Sequence, residues 1–235
     1  MLQSLRQLLW IQRLFVVVIG INIALILGGV RVVPSTIDSL AGVGSICGDV
    51  GMQIALAALA LGGPWSFRRY RSSIGMSALL GLVFATLYAG VILLEFQGIP
   101  TNANIGALFV GVGFVAGLAA SYRARHWRQG PIAAIWALLI GTVLWSGAVL
   151  LMNYMAWGSH QQYIFWLNDG AVADFQRSGS TDFNAFLLQD LQGALFFHPV
   201  LSVVVGALSG LVGSGVAQGV VLLQRSCRRH VPRKG

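Results

Sequence analysis

Asp49 stands inside an apolar run, flanked four residues to either side by Ser45 and Gln53. On a helix that spacing puts the three side chains on one stripe. A carboxylate within a membrane helix is expensive, and it is usually paired or functional. If the helix starts near Leu40, Asp49 lies about 13 Å from that end, at 1.5 Å per residue. Asn22, in the preceding run, lies at a similar depth of about 12 Å. Three chemistries are open to these residues. Asn22 and Asp49 could form a structural hydrogen-bonded pair. Asn22, Asp49 and Gln53 could line a path for a solute or ion. Or the helix starts close to Asp49, which then sits at the interface and pairs with Arg31.

The remaining acids offer less. Glu95, Asn102 and Asn104 bracket one short connection, and Asp169, Asp174, Asp182 and Asp190 fall in one long segment. Paired carboxylates can hold Ca²⁺ or act as acid and base, but these spacings match no metal loop, so a solvated surface is expected. His126, His160, His198 and His230 are read as lying outside the apolar runs, which leaves no pair to ligate haem. Cys47 falls in the outer part of such a run and Cys227 in the cytoplasmic tail, on opposite sides of the bilayer where they cannot bond, and no Cys/His cluster has metal spacing. Neither a catalytic triad order nor a phosphate loop is present. The expectation is no enzyme, no metal and no cofactor.

The elements that must position Asp49 follow from hydropathy. The chain is 9% charged and 56% hydrophobic, against roughly a quarter charged in a soluble domain. A crossing of about 30 Å takes about 20 helical residues. Six runs qualify: about 9–30, 42–63, 74–95, 103–121, 131–152 and 199–223. The predicted fold is all-α, one transmembrane domain over residues 1–235, with six spans as three hairpins. Residues 153–198 are too apolar for a free loop. Two short helices are predicted there, lying at the outer surface, one of them over 180–197 with Phe183, Phe186, Leu187 and Leu191 against the membrane or the bundle and Gln192 on the other side. His198-Pro199 is expected to turn the chain into the last span.

Small residues at spacing four let helices approach closely. Gly106, Gly113 and Gly117 offer such a face in the fourth span, and Gly206, Gly210 and Gly213 in the sixth. In the second, Gly48, Gly51, Ala55, Ala58 and Gly62 lie roughly opposite the Asp49 stripe, so that helix is expected to avoid lipid on two sides and to be central.

Charge gives the orientation. All seven acids and only two of fifteen basic residues, Arg31 and Arg177, lie in or beside one set of alternate connections. The other thirteen lie at the opposite side, which places both termini in the cytoplasm of a cell membrane. The net charge of +8 is thereby read as topology and attraction to lipid headgroups, with no nucleic-acid partner. The expected partners are the bilayer and other membrane subunits or further copies of the chain. The function read from this is a non-enzymatic scaffold, assembly or regulatory subunit. The alternative is a small permease or substrate-binding transporter subunit. A membrane enzyme acting on lipid-linked substrates lacks a catalytic constellation.

Overall fold

The computed structural model describes residues 2–62, 66–99, 101 and 104–229. Asn102, His230, Arg233 and Lys234 lie outside the described residues, as do the side chains of Arg6, Cys227, Arg228 and Arg229. The helices are α1 (Leu2–Val32), α2 (Leu40–Gly62), α3 (Arg71–Phe96), α4 (Ile105–Ala124), α5 (Gln129–Met155), α6 (His160–Asp169), α7 (Ala171–Ser178) and α8 (Phe183–Arg229), with a 3-10 turn at Pro34–Asp38 between α1 and α2. Helices α1 to α5 and α8 are each long and apolar enough to cross a membrane. The chain is an all-helical, multi-pass membrane protein.

The centre of the bundle is α5, not α2. Ala133 to Val143 are buried without exception. A helix that is apolar all round belongs inside, and two of its polar side chains bond the carbonyl one turn back. Ser146 donates to the Thr142 carbonyl and Asn153 to that of Val149. Around α5 the closest packing is of α4 on α8, α3 on α5 and α5 on α8. Helix α2 touches chiefly α1 and α8 at the periphery. Its buried residues are Gly42, Ile46, Asp49, Gln53, Leu56 and Ala60. They recur at alternating intervals of four and three, a single stripe. The Gly/Ala face opposite is exposed.

The long segment also departs from expectation. The predicted second surface helix and the last span are one continuous helix of 47 residues, with Pro199 inside it. An interior proline removes one backbone hydrogen bond and crowds the preceding turn. Buried in a bundle, such a helix is held by its neighbours. Of the two surfaces open to its apolar side, the bundle is the one met: Leu187 and Leu191 lie in the core and Phe183 and Phe186 pack against it. Asp182 caps the helix, its Oδ1 accepting from the Ala185 amide at 3.0 Å. The turns before it need left-handed backbone at Gly170 (φ 91°) and Gly179 (φ 70°), which glycine adopts without steric cost.

Candidate functional site

Asn22, Asp49 and Gln53 all lie on buried stripes. In α1 the buried positions Leu8, Gln12, Phe15, Ile19, Asn22, Ile26 and Gly29 form one face. Gln12 donates to the Ala60 carbonyl at 3.1 Å, which fixes the register of α1 on α2. Counting along both helices from that contact brings Asn22 level with Asp49. The structure does not join them. The Asn22 amide donates instead to the Val143 carbonyl of α5 at 2.8 Å. Its Oδ1 faces Gly147, where a Cβ would come within 2.6 Å. Asn22 is thus a clamp between α1 and the central helix.

Asp49 is 2% exposed, and neither carboxylate oxygen has a hydrogen-bond partner among the described residues. Because α2 starts at Leu40, Asp49 lies more than two turns inside the helix. Arg31 is exposed and makes no ion pair with it; the ion pair found among the described residues is Arg177 with Asp174. The Oε1 of Gln53 is also unpartnered.

Two further polar groups were not read as site residues from the sequence. Gln192 of α8 is fully buried with both amide atoms unpartnered. It was expected on the polar side, yet at 100° per residue it falls only about 40° from Leu188. Tyr154 of α5 donates to the Leu25 carbonyl at 2.9 Å and lies within electrostatic reach of Asp49. What results is a buried, unpartnered carboxylate one turn from the Gln53 amide on α2, with Tyr154 of α5 within electrostatic reach. Such a set can hold a proton or a small cation, or serve only to fix helix register.

His198 is not outside the bundle, as expected. It stands between α3, α4 and α5, at ring distances of 5.9 Å from Tyr88, 6.1 Å from Phe109 and 4.5 Å from Trp145. Its Nδ1 bonds the Ala194 carbonyl at 2.7 Å, so Nδ1 carries the proton. Nε2 is then the acceptor for the Tyr88 hydroxyl at 3.0 Å. Both ring nitrogens are engaged, which suits a structural tie beside Pro199. The proline made the sequence look broken at this point.

At the acid-bearing end, Glu95 and Asp169 line one cavity of about 390 Å³ with Gly98, Ile99, Thr101, Phe165 and Asn168. The Thr101 hydroxyl donates to Glu95 at 2.5 Å. Desolvation, then the charges of Glu95 and Asp174, push the Asp169 carboxyl above its ordinary value. No group of three His, Cys, Asp or Glu among the described residues could hold a metal ion.

The glycine positions divide. A Cβ on Gly117 would come within 2.6 Å of Gly210 Cα, and one on Gly113 would run into Ser209. Gly206 and Gly210 abut Ile135 and Ala134 of α5, and Gly213 abuts Phe114 of α4. Gly106 makes no such approach: it is exposed in the first turn of α4, near only the Asn104 side chain that caps that turn. No protein family, curated protein or solved structure matches the chain.

Proposed function

We propose that the chain is a non-enzymatic scaffold, assembly or regulatory subunit of a membrane complex. Its spans are read as three hairpins in a cell membrane, with the basic end and both termini in the cytoplasm and residues 153–198 outside. One observation carries this reading. Gly44, Gly48, Gly51, Ala55, Ala58 and Gly62 of α2 fall within a sector of about 80° at 100° per residue, and this face turns outward. Among the described residues a Cβ at Gly44, Gly51 or Gly62 meets nothing within 4 Å. The small faces of α4 and α8 are closed against each other and α5; that of α2 is open. Without a hydrophobic driving force in lipid, close backbone approach is what joins helices, so an open small face suits a transmembrane helix of a partner or of a second copy.

The test is Gly51→Leu with Ala55→Leu, compared with wild type by size after mild solubilisation. Loss of the larger species at unchanged folded yield supports docking through α2. An unchanged assembly rejects it. Cys47, exposed beside this face, serves as a cross-linking probe.

The permease reading keeps one observation in its favour, the buried and unpartnered carboxylate of Asp49, one turn from the unpartnered Gln53 oxygen. Reconstituted vesicles under an imposed proton or sodium gradient test it. Flux in wild type that vanishes in Asp49→Asn supports it, and no flux in wild type rejects it.

A further inference from the structure

A second cavity, of about 250 Å³, opens between the ends of α4 and α8, lined by Tyr122, Arg123, Arg125, Val221, Gln224 and Arg225. Two elements far apart in sequence bring three guanidinium groups to it. Gln224 donates to the Tyr122 hydroxyl at 3.2 Å and ties the two helix ends together. Arg125 caps α4 in the left-handed region (φ 52°), a position usually given to Gly or Asn.

Charge balance shows what this cavity lacks within the protein. None of the three arginines has an ion-pair partner among the described residues. Asp190, the acid nearest to Arg225 in sequence, lies roughly 50 Å up α8 at 1.5 Å per residue. Screening ends electrostatic help beyond about 8 Å in physiological salt. The two helix C-termini contribute only about half a negative charge each. About two positive charges therefore remain to be balanced by something outside the chain.

Position identifies the partner chemistry. Helix α4 has 20 residues, about 30 Å of rise, which matches the hydrocarbon thickness. Arg123 and Arg125 at its end therefore fall at headgroup level. Guanidinium groups recognise phosphate through paired N–H donors, and Tyr122 and Gln224 add polar atoms beside them. We propose that this cavity binds the phosphate of an anionic phospholipid, with the acyl chains lying along the exposed Leu222 and Leu223 of α8. The assignment is independent of how α2 is used.

The experiment uses the full chain in a neutral detergent. Bound phosphatidylglycerol, bound phosphatidylcholine and protection by inorganic phosphate are measured by native mass spectrometry and thermal unfolding. Wild type is expected to retain phosphatidylglycerol in preference to phosphatidylcholine. Arg123→Gln with Arg225→Gln should weaken that retention roughly twenty-five-fold, two charges near an anionic lipid at about fivefold each. Arg69→Gln with Arg71→Gln removes the same charge from the other short basic connection and should change it less than about twofold if the cavity is specific. Equal losses in the two double variants, or no preference between lipids, would overturn the site. Protection by inorganic phosphate with no added effect of lipid would overturn the phospholipid assignment. All four side chains are exposed, so the variants fold as wild type does; Tyr122→Phe, which removes only a hydroxyl, checks this with a smaller loss of the same preference.

Discussion

Among the described residues Asp49 has no donor within hydrogen-bonding distance, and at residue scale this governs what its replacement does. A buried polar group left unsatisfied costs about 1–3 kcal/mol, and an apolar group of similar shape removes that cost. Under the scaffold reading, Asp49→Leu should keep or raise the thermal midpoint, by about 2–4 °C per kcal/mol regained. Asp49→Asn should change it less. A fall in folded yield with both variants would mean that the carboxylate holds the fold through a bound ion, which rejects a passive role. The depth of Asp49 was legible in its count from Leu40. Its partners were not, because spacing along one helix says nothing about which neighbour another side chain prefers. Asn22 chose Val143 of α5 over the level acid of α2. Asp169 gives a pH test. Its folded-state value is raised above the ordinary one, so its favourable contribution is present at acid pH and is lost as pH rises through that raised value. Asp169→Asn stays neutral throughout. It should therefore unfold at a higher temperature than wild type near neutral pH, and the gap should close as pH falls towards about 4. A gap independent of pH would show that Asp169 feels no such field.

At the scale of elements, the small face of α8 is where steric demand is sharpest. A Cβ at Gly210 would lie 2.7 Å from Ala134 Cβ and 2.8 Å from Pro131 Cα, so backbone would have to move. Gly215, on another sector, has nothing within 4 Å. Overpacking costs about 1–3 kcal/mol, and more where backbone is the obstacle. Gly210→Leu should lower folded yield and midpoint strongly, while Gly215→Leu should leave both near wild type. Equal effects would reject the assignment. The spacing of Gly206, Gly210 and Gly213 was readable because small residues at helical intervals define a face. What a face meets was not readable: the same signal in α2 turns outward. The extent of α8 was misread for a different reason. Pro199 usually marks a helix start or break, and only the surrounding helices, with His198 bonded to Ala194 and Tyr88, show why the helix runs on through it.

For the whole molecule, charge and length act together. Helix α8 is about 70 Å long at 1.5 Å per residue, more than twice the hydrocarbon thickness, so it projects beyond the bilayer. The two sides it reaches are chemically opposite. Arg225 shares a cavity with Arg123 and Arg125 at one end. At the other, Asp182 receives the Ser35 hydroxyl at 2.5 Å, and that bond first, then the Ala185 amide, holds its carboxyl below its ordinary value. This separation was legible in the sequence because insertion retains Lys and Arg on the cytoplasmic side, whatever the packing. The fold places Arg69, Arg125 and Ser178 all on exposed surface, which makes the orientation testable. With Cys47 and Cys227 replaced by Ser, single cysteines are introduced as Arg69→Cys, Arg125→Cys and Ser178→Cys. In intact cells an impermeant thiol reagent should label Ser178→Cys and leave the other two unlabelled. After the membrane is opened, all three should react, which shows that shielding came from the bilayer and not from burial. Labelling of the two arginine positions alone in intact cells would invert the molecule. It would also put the proposed phosphate cavity in the opposite leaflet, while leaving its binding chemistry intact.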